Sequence, residues 1–124
     1  MLMEEELTEK IIGAAIEVHK ILGPGLLESA YEHCLCYELS LRGVKAVRQM
    51  ELPVRYKDVL LDVGYRIDIL VEERVILELK VAKAITDIDR AQLLTYLKLS
   101  GKKVGLLLNF HVAVMKDGIV RLVA

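Results

Sequence analysis

The chain has 124 residues, 54% of them hydrophobic and 28% charged, which is the composition of an ordered, core-rich protein and excludes a disordered one. Seventeen basic residues against eighteen acidic ones leave a formal net charge of −1, so no global positive field draws in a polyanion. No apolar run approaches the roughly 18 residues of a membrane span, and Glu4, Glu5 and Glu6 stand where a secretory leader would be basic. The expectation is one domain over 1–124, located in the cytoplasm. Cys34 and Cys36 are two apart, roughly 200° around a helix, so they share neither a metal nor a disulfide there and read as reduced thiols.

Apolar residues at Leu7, Ile11, Ala14, Ala15, Val18 and Leu22 recur at helical spacing, which predicts a helix over 7–22 that Gly23-Pro24-Gly25 ends. A second helix is expected over about 26–41, closed by Arg42-Gly43. Residues 44–65 are rich in Val, Leu and Tyr and read as a pair of strands turning at Tyr56-Lys57-Asp58, with Pro53 marking an edge or a bulge. Two near-continuously apolar stretches, 65–71 and 75–81, are predicted to form the centre of the sheet, separated by Glu72-Glu73-Arg74. Thr86 reads as the N-cap of a third helix, with Asp89 completing an acidic capping box and Gly101 ending it. A strand over 104–110 and a hairpin over 112–123, broken at Lys116-Asp117-Gly118, finish the chain. The order predicts an α/β or α+β fold, helices packed on a mixed central β-sheet.

Charged residues inside apolar strands require a reason, because a buried unpaired carboxylate costs several kcal/mol. Asp68 lies in Ile67-Asp68-Ile69, and Glu78 and Lys80 lie in Ile76-Leu77-Glu78-Leu79-Lys80. A period of two places Glu78 and Lys80 on one face. Asp68 joins them only if it stands opposite Glu78, which needs an odd-numbered loop or a bulge centred near Glu73. Converging there, the two carboxylates and the amine suit Mg²⁺ and a water aimed at a phosphodiester. The competing reading is an internal Glu78–Lys80 ion pair beside an edge-exposed Asp68. On the third helix, Gln92 interrupts a stripe of Ile85, Ile88, Tyr96 and Leu99, which predicts a polar site at the helix–sheet interface, though backbone carbonyls can satisfy a buried Gln as well. Glu28 borders the apolar face of Leu27, Tyr31, Cys34 and Leu35, a position that the helix dipole alone also favours.

Gly25-Leu26-Leu27-Glu28-Ser29-Ala30-Tyr31 resembles the signature of the GxxExxY family, whose members are similar to PD-(D/E)xK nucleases. The resemblance continues from Gly64 to Lys80 and through Gly105-Leu106-Leu107-Leu108-Asn109-Phe110. It implies a restriction-endonuclease-like core with Asp68, Glu78 and the Leu79 carbonyl as metal ligands, Lys80 as the catalytic amine, and Glu28 as the acidic residue of the first core helix. Gln92-Leu93-Leu94-Thr95-Tyr96 resembles the Q-x-x-x-Y motif of the RecB-like branch. That branch usually carries an upstream metal-binding His, whereas His19 beside Val18 and Leu22 reads as a core histidine.

The function expected from these features is a nuclease, a phosphodiesterase that uses Mg²⁺ (or Mn²⁺) on DNA or RNA, with Glu28, Asp68, Glu78, Lys80, Gln92 and Tyr96 at its site. A local basic rim of Arg42, Lys45, Arg48, Arg55, Lys83, Lys98, Lys102 and Lys103 is the weaker reading of residues that are usually a solvated face. The alternatives are a non-catalytic module that keeps the fold to bind a protein partner, and a structural homodimer joined through the terminal hairpin.

Overall fold

The computed structural model describes residues 3–124. Two helices come first, α1 (Glu5–Leu22) and α2 (Glu28–Leu41), followed by five strands, β1 (Ala46–Glu51), β2 (Val54–Tyr56), β3 (Val59–Leu61), β4 (Arg66–Val71) and β5 (Val75–Lys80). Helix α3 (Asp87–Ser100), strand β6 (Val104–Asn109), a 3₁₀ turn (Met115–Gly118) and strand β7 (Ile119–Val123) complete the chain. The main sheet has the order β1-β4-β5-β6-β7, with β5 and β6 parallel and the other neighbours antiparallel. The expected mixed sheet flanked by helices is therefore the fold.

The alternation of side chains along β5 explains why its sequence is apolar throughout. Val75, Leu77 and Leu79 face a core shared with Ile11, Ala15, Tyr31 and Leu35 of α1 and α2, while Ile76 faces a second core shared with Leu93, Tyr96 and Leu97 of α3. Both faces of the central strand are covered, as a parallel pair demands. Helix α3 makes the crossover between β5 and β6 and starts on the capping box foreseen from its sequence: Asp89 N–H donates to Thr86 Oγ1 (3.2 Å) and Thr86 N–H donates to Asp89 Oδ2 (3.0 Å). It packs so closely on β6 that a Cβ at Gly105 would stand 2.8 Å from Leu93 Cδ1.

Two expectations need correction. Residues 44–65 hold three strands: β1 joins β4 in the main sheet, and only β2 and β3 form the small hairpin that turns at Lys57 and Asp58. Pro53 falls between β1 and β2, where the missing N–H ends the ladder and lets the chain leave the sheet. The hairpin over 112–123 does not form, because β7 pairs with β6 from Leu108↔Ile119 to Val104↔Val123. Met115 instead buries its side chain in the α1/α2 core. Gly118 passes Asn109 so closely that a Cβ would meet its carbonyl oxygen at 2.1 Å, which favours the compact 3₁₀ turn over a second strand.

Candidate active site

Strands β4 and β5 are joined by the three residues Glu72, Glu73 and Arg74, the first two with φ of 51° and 57°. Their ladder runs Val71↔Val75, Leu70↔Ile76 and Ile69↔Leu77. Continued by one step, this register places Asp68 opposite Glu78, the odd-numbered connection that a shared site requires. The ladder stops there. Asp68 N–H donates to Glu78 Oε2 and Leu79 N–H donates to Asp68 Oδ2, each at 2.9 Å. The strands thus fork, and each carboxylate takes the amide that the opposite strand no longer reaches. The alternation of β4 also breaks at this point, since Ile67 packs with Leu70 in the α3 core while Ile69 lies in the other.

A backbone carbonyl faces the same opening. In a strand the N–H and C=O of one residue point to the same side. The Leu79 N–H reaches toward β4, so the Leu79 carbonyl turns that way too, whereas the Lys80 carbonyl accepts from Phe110 N–H (3.0 Å) on the β6 side. Asn109 holds the chain just beyond, with its Nδ2 donating to the Ala82 carbonyl (2.8 Å) and its Oδ1 accepting from Ala82 N–H (3.2 Å).

Glu28 arrives from the α2 side. The motif before it has a local physical role: Tyr31 is fully buried, stacks on Phe110 at 4.5 Å between centroids, donates from its hydroxyl to the Gly23 carbonyl (2.5 Å) and accepts from Leu26 N–H (3.2 Å). With Gly25 at φ 102°, a conformation that glycine takes freely, this clamp sets the turn and places Glu28 in the first turn of α2. From the α3 side, Asp89 Oδ1 pairs with Lys80 Nζ at 3.6 Å. The ion pair of Lys80 is therefore with the helix cap, and not the Glu78–Lys80 pair considered from the sequence.

The carboxyl groups feel one another. Burial, then the Asp68 charge, push Glu78 up to about 8, against the opposing effects of the Asp68 N–H bond and Lys80. Burial raises Asp68 also, opposed first by the Leu79 N–H bond, and burial followed by the Asp68 charge raises Glu28.

Gln92 Nε2 donates to the Tyr96 hydroxyl at 2.9 Å. Tyr96 is buried in the α3 core, and its hydroxyl is pushed up by burial, lowered by the Gln92 bond and raised again by Glu78. The stripe itself is rotated from the expected one: Leu93, Tyr96 and Leu97 face inward, Ile88 is 77% exposed, and Gln92 lies on the border. Packing against the flat β6 surface at Gly105, with Leu93 as the contact, decides the rotation. Gln92 and Tyr96 line a cleft of about 420 Å³ with Val54, Tyr65, Thr95 and Leu99. His19 is a core residue, its Nε2 2.8 Å from the Val112 carbonyl.

Three polar residues at the site were not foreseen there. Glu32 is 4% exposed, and its Oε1 meets Gln49 Nε2 at 2.9 Å and Arg48 Nε at 3.1 Å. Its spacing to Leu35 and Leu39, three and seven residues on, was the available sign that it faces inward. Gln49 and the ion-pairing role of Asp89 had no such sign.

Among the described residues, no group of three or more His, Cys, Asp or Glu side chains stands ready to hold a metal ion. The donors that the fork does offer are two carboxylates and one carbonyl, all oxygen, with an excess of negative charge. That set suits a hard divalent cation completed by water. No helix among the described residues is long and apolar enough to cross a membrane. Searches of curated proteins and of solved structures returned no match. A family model described as the PD-(D/E)XK nuclease superfamily matches residues 5–122, nearly the whole chain, and the protein therefore belongs to that superfamily.

Proposed function

We propose that the protein is a divalent-metal-dependent phosphodiesterase acting on DNA or RNA, with Mg²⁺ (or Mn²⁺) held by Asp68, Glu78 and the Leu79 carbonyl. The observation that carries this reading is the fork, where β4 and β5 stop pairing at the two carboxylates and bind each other's amides through them. The bound ion supplies charge to polarise a phosphate and to activate water. Lys80 orients that water and offsets the charge that develops on phosphate, with Asp89 holding its ammonium from the α3 cap. Glu28 serves as an outer ligand or base from the α2 side, and Gln92 with Tyr96 borders the substrate cleft on the α3 side. The Gly25-to-Tyr31 clamp and the Gln92–Tyr96 pair support placement with the GxxExxY family and the RecB-like branch.

Four thermal melts at pH 8.5 test the reading: wild type and Asp68→Asn, each with and without Mg²⁺. At ten times its dissociation constant the ion stabilises by roughly 1.4 kcal/mol, which raises Tm by about 3 to 6 °C in a chain of this size. Asp68→Asn removes a ligand and a repelling charge while keeping an acceptor for Leu79 N–H, so without metal it melts at or above the wild type and with metal it does not respond. A wild type indifferent to Mg²⁺ beside a destabilised variant would favour the second reading, a protein-binding module. The observation behind that alternative is the apolar hairpin, where Tyr56, Val59, Leu60 and Leu61 are all exposed.

A further inference from the structure

Strand β1 carries a backbone anomaly beside the site. It pairs with β4 at Arg48↔Ile69 and at Met50↔Ile67, and between these Gln49 stands across from Asp68 with no ladder pair recorded. Gln49 has φ 55° in the middle of a strand, a conformation that disfavours a residue with a Cβ by roughly 1 to 2 kcal/mol. Strain of this sort persists where the surroundings over-determine it, and it concentrates at functional sites.

The side chains show what the strain achieves. Neighbouring residues of a regular strand point to opposite faces, yet Arg48 Nε and Gln49 Nε2 reach the same oxygen, Glu32 Oε1, at 3.1 and 2.9 Å. Both can do so only if the backbone turns at one of them, and the turn is at Gln49. Glu32 is buried, with the Arg48 guanidinium beside it as an ion-pair partner, and its Oε1 accepts from Gln49 Nε2, which fixes one N–H of the Gln49 amide. The same nitrogen carries a second N–H, which is the group left to face Asp68 across the interrupted ladder.

We propose that Gln49 is a positioning residue for Asp68: its left-handed backbone sets the amide between the buried Glu32 and the Asp68 carboxylate, and so holds that carboxylate in the fork. This rests on the metal-dependent reading above. Hydrogen-bond partners behind a metal ligand characteristically contribute 10- to 100-fold in affinity.

The test uses the full chain at pH 8.5 with two variants. Gln49→Gly removes the amide and relieves the backbone; Gln49→Ala removes the amide and keeps the strain. Titration calorimetry gives the Mg²⁺ dissociation constant, and metal-free melts give Tm. Both variants are expected to bind Mg²⁺ about 10- to 100-fold more weakly than wild type, by similar factors. Gln49→Gly is expected to melt above Gln49→Ala by about 3 to 6 °C, which reads the backbone strain, while the weaker Mg²⁺ binding that persists in the relieved Gln49→Gly reads the amide. If Gln49→Gly binds Mg²⁺ as wild type does, the amide does not position Asp68 and the proposal is refuted while the metal site stands; if Gln49→Ala melts at or above Gln49→Gly, the backbone is not strained there and the proposal is refuted as well. If wild type itself gives no heat with Mg²⁺, the metal-dependent reading falls and takes this inference with it.

Discussion

The proton on Glu78 should govern both stability and metal binding, and it gives the sharpest quantitative test. Glu78 is 6% exposed and faces Asp68 across the fork, which together raise its carboxyl from 4.5 to about 8. The folded state therefore keeps a proton that the unfolded chain has already released. Between about pH 4.5 and 8 the native state binds more protons, so metal-free stability falls as pH rises through that window and levels off above about 8. From pH 6 to pH 8 the loss is about 2 kcal/mol, or roughly 6 to 12 °C in Tm. Glu78→Gln keeps an oxygen to accept from Asp68 N–H and has no proton to lose, so its Tm should lack this slope. Circular-dichroism melts of both proteins in EDTA, at half-unit steps from pH 6 to 9, measure the difference. Mg²⁺ must displace the same proton, so calorimetry at pH 7 in two buffers of different ionisation enthalpy should find about 0.9 proton released per ion bound. Parallel profiles for wild type and Glu78→Gln between pH 6 and 8 would refute the reasoning, whatever the protein does to nucleic acid.

Lys80→Met should fold and bind Mg²⁺ as wild type does, yet lose about 10²-fold or more in cleavage of single- or double-stranded substrate, since the amine acts on the reacting groups and not on the ion. Thr86→Ala breaks the capping box of α3 and should lower stability by about 1 kcal/mol in urea titrations. Gly105→Ala drives a methyl group to 2.8 Å from Leu93 Cδ1, a flexible neighbour, and should cost about 1 to 3 kcal/mol in the same assay. Gly118→Ala meets the Asn109 carbonyl oxygen instead, at 2.1 Å. The backbone cannot yield as a side chain does, so this variant should be the less stable of the two.

What could be read from the residues was set by how local each cause is. The helices announced themselves because caps and periodicity act within a few residues: Thr86 with Asp89, Gly101, and the apolar stripe of α1 all lie where they were expected. The three-residue link between β4 and β5 was legible for the same reason, and the register followed from it. The partner of β1 was not, because β4 lies beyond the β2–β3 hairpin and nothing in 46–51 distinguishes a hairpin mate from a distant one. The last hairpin failed by the same logic, since Lys116-Asp117-Gly118 has turn chemistry but β7 gains more by pairing with the buried β6. Glu28, Asp68, Glu78 and Lys80 stood out as candidates through charge in apolar surroundings and through resemblance, and their roles are those proposed above. Glu32 was overlooked though its spacing pointed inward, and the role proposed for Gln49 rests on a backbone angle and a cross-strand neighbour, neither of which leaves a trace in a single sequence.

The fork also divides the sheet by how its amides meet solvent. The N–H groups of Ile69, Leu70 and Val71 belong to a paired stretch flanked by strands on both sides, so deuterium reaches them chiefly when the sheet itself opens. Those of Asp68 and Leu79 are shielded by a carboxylate each, and one side-chain rotation exposes them. Local openings of that kind need far less free energy than global unfolding. Exchange at these two amides should therefore outpace that of the paired stretch behind them, so that the mouth of the sheet opens while the layers behind it remain closed.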